Sequence, residues 1–147
     1  MNSRELLDAL ERVLDSSSRG VMATVDSQGG PRLRWMVAGT LRGASGYVYA
    51  VTSPGFRKVA ELDKNPRVSW MFQDEKMDEI IHLRGEARVV DNPSLKADVL
   101  EAIGKDLANF WRANAMESDL VVIETVPDEI EVFSVSRGER TRASLAE

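Results

Sequence analysis

Between Val21 and Val37 the chain alternates with a period of two and reverses direction once. Val21, Ala23 and Val25 interleave with Met22 and Thr24. A run of turn formers, Asp26-Ser27-Gln28-Gly29-Gly30-Pro31, follows, and then Leu33, Trp35 and Val37 interleave with Arg32, Arg34 and Met36. This period, broken by an Asp/Gly/Pro reversal, specifies an antiparallel hairpin and excludes a helix here. The pattern recurs. Tyr47–Val51 reads as a third strand, Val68–Phe72 as a fourth and Ile80–Val90 as a long fifth. In the fifth, Ile81, Leu83, Gly85, Ala87 and Val89 share the face opposite Arg84, Glu86 and Arg88. Leu120–Val126 and Ile130–Val135 read as two more, split by Pro127-Asp128. Strands joined this closely through turns make an antiparallel meander in a barrel or sandwich, not βαβ units.

Helical periodicity occurs in fewer places. Leu6, Leu7, Leu10, Val13 and Leu14 recur at helical spacing, and Asn2 with Glu5 three residues later is a start signal. Thr52-Ser53-Pro54-Gly55 ends the third strand and opens a short helix through Leu62. Asn92-Pro93 caps a helix running to about Ile103, where Gly104 is expected to stop it. Lys105–Asn114 reads as another short helix, and residues 137–147 as a mobile polar tail. With 147 residues and no linker, the whole chain (1–147) reads as one domain, with an N-terminal helix over 1–15.

The charge is uneven. Lys and Arg number 19 against 24 Asp and Glu, net −5. Yet Arg19–Lys58 holds six basic residues and one acidic, a local +5 that leaves −10 elsewhere, and seven of the ten glycines. An acidic chain argues against nucleic acid as partner. No apolar run approaches the ~20 residues of a membrane span. The N-terminus is polar, and the expected location is the cytoplasm. With no cysteine and one histidine, thiol chemistry and a multi-histidine metal site are excluded. His82 lies among the polar positions of the fifth strand and reads as a surface residue. The carboxylates fall in helices and turns that read as solvated faces. No residue is assigned a catalytic role.

The cationic segment has one chemically suggestive cluster. Thr52 and Ser53 place two hydroxyls at a strand end, and Arg57 and Lys58 place two cations in the first turn of the next helix. Hydroxyls, helix N–H groups and cations together suit a phosphate. Arg34, opposite in alternation to Leu33 and Trp35, can reach the same place. Spacing alone favours a solvated loop with incidental surface cations over a phosphate site.

Longer segments add to this. Gly20-Val21-Met22-Ala23-Thr24-Val25-Asp26, Pro31-Arg32-Leu33-Arg34-Trp35-Met36 and Val51-Thr52-Ser53 follow one another in order. Arg57-Lys58-Val59-Ala60-Glu61-Leu62, Asn65-Pro66-Arg67-Val68-Ser69 and Leu83-Arg84-Gly85-Glu86-Ala87-Arg88-Val89-Val90 continue the series. Over about Glu5–Val90 the chain resembles the pyridoxamine 5'-phosphate oxidase-related proteins, the FMN-binding split-barrel family, and its short general-stress-protein branch in particular. The resemblance implies a mainly β fold, a six- or seven-stranded antiparallel split barrel with flanking helices. It implies a homodimer with two FMN sites at its interface. Carried over by position, Arg34 and Lys58 would hold the FMN phosphate with Arg57, Ser53 and Thr52. The backbone of Trp35 and Met36 would lie along the isoalloxazine ring, Val51 beside the cofactor, and Trp111 over the ring from the other subunit.

The chain also departs from the family. Phe56 stands where many relatives have a serine, Gly39 near a lysine of the oxidases and Ile80 near their flavin-contacting glutamine. The sequence ends at Glu147 without their Arg-x-His segment. Vitamin B6 oxidation is therefore not expected. The leading expectation is an FMN-dependent oxidoreductase with a small-molecule redox substrate or electron donor, its chemistry carried by the flavin. The alternatives are a non-catalytic carrier of flavin, deazaflavin (F420) or haem, and a structural dimer whose site has decayed. Trp35, Tyr47, Tyr49, Trp70, Phe110 and Trp111 exceed what one small barrel interior readily holds, so some are expected in an interface or against a planar ligand, with ordinary core packing an equal alternative.

Overall fold

A computed structural model describes residues 2–44, 46–53, 55–110 and 120–145. The elements run α1 (Ser3–Ser16), β1 (Arg19–Val25), β2 (Pro31–Gly39), β3 (Val48–Thr52), α2 (Arg57–Lys64), β4 (Arg67–Gln73), β5 (Glu79–Val90), α3 (Pro93–Phe110), β6 (Val121–Ser134) and β7 (Glu139–Ser144). The strands form one antiparallel sheet in the order β3-β2-β1-β4-β5-β6-β7, and β3 also pairs with β6. Six strands therefore close into a barrel, and β7 is added to the flank of β6.

Closure decides which alternation face is inside. On β1 the inner residues are Gly20, Met22 and Thr24; on β2 Met36 and Ala38 join the barrel core, and Arg34 shares their face. Trp70 and Phe72 of β4 stack inside with centroids 5.1 Å apart, and the Trp70 indole donates to Thr125 Oγ1 at 3.0 Å. Ile81, Leu83 and Ala87 line the interior from β5, whereas Val89 is exposed. The α1 stripe of Leu6, Ala9, Leu10, Val13 and Leu14 packs into the same cluster. Its first turn is capped as expected, with Glu5 N–H donating to Asn2 Oδ1 at 2.9 Å.

A second cluster lies outside the barrel wall, where α3 covers Val37, Tyr49, Val51 and Val122 with Val99 and Ile103. Asn92 Oδ1 caps α3 by accepting from Leu95 N–H at 3.0 Å. Contrary to expectation, α3 does not stop at Gly104. Leu95, Val99, Ile103 and Leu107 recur every fourth residue across that position and stay on the barrel. Continuous packing outweighs the cost of one helical glycine, about 1 kcal/mol relative to alanine. Residues 111–114 of the expected additional helix lie outside the described residues.

The two expected C-terminal strands are one strand, β6, and it serves three neighbours. Along one flank it pairs with β5 throughout. Along the other, residues 121–125 pair with β3 and residues 129–134 with β7. Pro127, which has no N–H to give, falls between those two partners and at the register shift opposite Arg84/Gly85. The tail expected to be mobile instead supplies β7. Arg140 and Arg142 reach across to Glu131 at 3.1 and 3.0 Å, and Leu145 N–H donates to Asp128 O at 2.8 Å.

At the closing seam Tyr49 is paired in register with Glu124, and its hydroxyl donates to that carboxylate at 3.0 Å. Arg88 holds the other carboxylate oxygen at 2.8 Å. Burial and this carboxylate push the Tyr49 phenol up to about 12. At the bulge, a Cβ on Gly85 would run into the Val126 carbonyl oxygen and Pro127 Cα, both backbone. Gly85→Ala is therefore expected to destabilise the fold by about 1–3 kcal/mol, read as a lower urea midpoint at unchanged slope.

Candidate functional site

Buried charge enters the barrel where β1, β2 and α2 meet. There Arg34 enters on the inward face of β2, paired in register with Met22. Its guanidinium donates to the Met22 carbonyl and to Glu61 Oε1, each at 3.3 Å. The same Glu61 oxygen accepts from the Thr24 hydroxyl at 2.6 Å. Lys58, Glu61 and Leu62 form the buried face of α2, and Lys58 and Glu61 are each only 7% exposed. Burial lowers both cations from their usual ranges. For Arg34, Glu61 opposes that shift; Lys58 is brought down to about 8 by burial first and then by Arg34, with Glu61 opposing.

Two oxygens, Thr52 Oγ1 at the end of β3 and Glu61 Oε2 on α2, are buried without a hydrogen-bond partner among the described residues. Buried polar atoms are nearly always satisfied, so such atoms mark places where a ligand or solvent belongs. The α2 N-cap is Phe56, which offers no side-chain acceptor to the first-turn N–H groups. Its ring lies 4.3 Å from the Lys58 ammonium. In place of the relatives' serine, this chain presents an aromatic face to the cation.

The structure brings some of the expected residues together and separates others. Arg34 and Lys58 share the buried cluster. Thr52 is buried at the end of β3, Ser53 is half-buried just beyond it, and Val51 and Met36 are buried in the two apolar clusters. Arg57 turns outward instead, lining a shallow depression with Asp26, Arg32, Glu61 and Lys64. Trp35 is 53% exposed on the outer face. Trp111 lies outside the described residues. Gly39 sits under α3, where a Cβ would come 2.7 Å from Ile103 Cγ2. Ile80 and His82 line an outer groove, apolar in most of its lining, with Val21, Ala23, Leu33 and Phe133.

Sequence reasoning missed Glu61 and Thr24. Glu61 belonged to the carboxylates expected to be solvated, and burial corrects that. Its signal was its position three residues after Lys58, which puts both on the Leu62 face of one short helix. Among the described residues no cluster of metal-ligating side chains occurs, and no helix is long and apolar enough to cross a membrane.

The fold is a closed antiparallel barrel with a cationic cluster at one place in its wall, and similarity to known proteins gives the family. The model of the family described as Pyridoxamine 5'-phosphate oxidase matches residues 6–134, and the chain belongs to that family. Among curated proteins none matches. Solved structures with the same fold include General Stress Protein 26 from Bacillus anthracis, 19% identical, with TM-score 0.74 over 95% of this chain and 99% of that one. A pyridoxamine 5'-phosphate oxidase-related, FMN binding protein from Nostoc punctiforme is 10% identical, with TM-score 0.65 over 95% and 96%. A heme binding protein from Mycobacterium smegmatis is 17% identical, with TM-score 0.73 over 95% of this chain and 57% of that one.

The depressed Lys58 has a consequence for stability. Folded chain releases the Lys58 proton near pH 8, whereas an unfolded lysine keeps it to 10.5. Over that window unfolding takes up a proton, so rising pH favours the folded state. Denaturant midpoints measured from pH 7 to 10 are expected to rise relative to a Lys58→Met variant.

Proposed function

We propose that this chain is a flavin-binding protein of the cytoplasm that holds FMN by its phosphate and uses the flavin for redox chemistry. The observation that carries this reading is the surplus of buried positive charge: Arg34 and Lys58 face one carboxylate, Glu61. A buried charge without full compensation is costly, and an incoming anion relieves that cost. Arg34 offers a fork of donors suited to phosphate oxygens, Lys58 a point charge and Thr52 a buried hydroxyl. The first-turn N–H groups of α2 add favourable dipoles.

For the ring, β2 offers a stretch of backbone unpaired on its β3 side. β2 pairs with β3 only at Ala38↔Ala50 and Gly39↔Tyr49, so Leu33–Val37 has no β3 partner alongside it. That open stretch carries the Trp35 and Met36 backbone along which the isoalloxazine is assigned. When bound, the flavin supplies hydride or electron transfer at its N5; the chain supplies binding and orientation. An exposed His82 on the outer wall is compatible with a protein that leaves the chemistry to its cofactor. Gly39 and Ile80 argue against pyridoxamine phosphate as the substrate. Non-catalytic carriage of flavin or haem is the second reading, favoured by the haem-binding neighbour of the same fold.

The same proposal includes a homodimer. Leu33 is 71%, Trp35 53% and Met71 45% exposed, on one outer face with Val21, Ala23 and Ile80. An apolar face of this kind on neighbouring strands calls for cover. Burying it against a second copy would also bring the open β2 edges of both chains to the interface.

FMN titrated against the protein is expected to lose fluorescence on binding. Arg34→Ala and Lys58→Ala should each weaken FMN at least about tenfold, the size of a charge-assisted hydrogen bond, and leave riboflavin nearly unaffected. Arg57→Ala should weaken it less. Unquenched FMN at high micromolar protein would defeat the reading. Separately, Trp35→Glu with Leu33→Glu is expected to convert a dimer to a monomer by sedimentation velocity.

A further inference from the structure

We propose that Glu61 is a built-in counter-anion of the Arg34–Lys58 pair and sets how tightly the site holds a doubly charged phosphate. This rests on the flavin reading above and adds to it the residue that tunes affinity. Thr24 Oγ1 fixes one Glu61 oxygen at 2.6 Å, and Arg34 Nη2 donates to that same oxygen at 3.3 Å. Lys58 stands one turn earlier on the same buried face of α2. The second carboxylate oxygen, Oε2, is buried with no partner.

The charges decide the direction of the effect. Two buried cations and one carboxylate leave a wall of +1, whereas a phosphomonoester brings about −1.5 to −2 at neutral pH. Phosphate approaching Arg34 therefore meets a fixed negative group already bound to it. Glu61 occupies part of the guanidinium fork and repels the ligand's second charge. Its burial makes this repulsion effective, because screening by solvent is weak there. The fold holds Glu61 in place by means of Thr24, a contact that no phosphate ligand requires. The result is a site that retains its cofactor less firmly than Arg34 and Lys58 alone would, so that flavin can exchange.

Glutamine preserves the shape. Its carbonyl can accept from Thr24 and Arg34, and its amide takes the place of Oε2, so Glu61→Gln removes charge and little else. Dissociation constants for FMN and riboflavin at pH 7, by fluorescence quenching, give a ratio in which ring binding and general folding effects cancel. Glu61→Gln is expected to raise the preference for FMN over riboflavin by about tenfold or more, as a unit charge a few ångströms away does at intermediate dielectric. Thr24→Val, which loosens the carboxylate but keeps its charge, should not raise it. An unchanged or lower ratio in Glu61→Gln overturns the proposal, as does an equal rise in Thr24→Val. If Glu61→Gln does not fold, Glu61→Met gives the same ratio with a neutral side chain of similar length. Flavin binding with an unmoved ratio refutes the role of Glu61 alone; no binding of either flavin by wild type or variant refutes the flavin reading as well.

Discussion

Closure of the sheet between β3 and β6 is the constraint on which the rest of the structure depends. Once those strands pair, from Val48↔Thr125 to Thr52↔Val121, alternate side chains of six strands must share one interior. That interior takes Met22, Met36, Trp70, Phe72 and Leu83 and the apolar stripe of α1. It also takes Thr24 and half-buries Arg34, because both share an alternation face with Met22 and Met36. A buried guanidinium must be compensated, and α2 answers with Glu61. The polar cluster is thus a consequence of register: a one-residue slip of β2 would turn Arg34 outward and Leu33 inward.

The cluster is asymmetric in a chemically useful way. Glu61 compensates Arg34 directly, but Lys58 sees it only from one turn away and lies against the Phe56 ring. The ammonium is consequently the less stabilised cation, and its lowered proton affinity reports this. Arg57, its neighbour in sequence, is exposed and lines a surface depression instead. Adjacent helical residues point about 100° apart, so two cations in a row cannot serve one pocket equally.

Much of this was legible in the chain. The hairpin around Asp26–Pro31, the long β5, both capped helix starts and the family could be read from period, turn chemistry and ordered segments. The site was half legible: the cationic excess and order of motifs pointed to Arg34, Lys58 and Thr52. The face that Arg34 shares was not evident from alternation, because Leu33 and Trp35 are the more apolar residues and nevertheless face outward. Glu61 was hidden because burial of a carboxylate depends on a partner distant in sequence, here Thr24 and Arg34. Gly104 and Pro127 are local breakers that tertiary context overrides, the first because α3 packs on the barrel on both sides of it and the second by falling where β6 changes partner. β7 was missed because its residues are mostly polar; it is held by pairing to β6 and by charges on Glu131, with Ala143 against the core.

The handover on β6 has a wider meaning. Closure removes most of the edge of this sheet, yet β6 is longer than its partner β3 and extends nine residues past it, from Val126 to Ser134. Those residues include Ile130, Val132 and Phe133, a β-rich apolar segment of the kind that recruits a foreign strand. β7 lies along that flank and presents in its place a short outer edge bearing Glu139, Arg140 and Arg142. The polar C-terminal strand thereby guards the flank of β6 that β3 leaves free against pairing with a foreign strand.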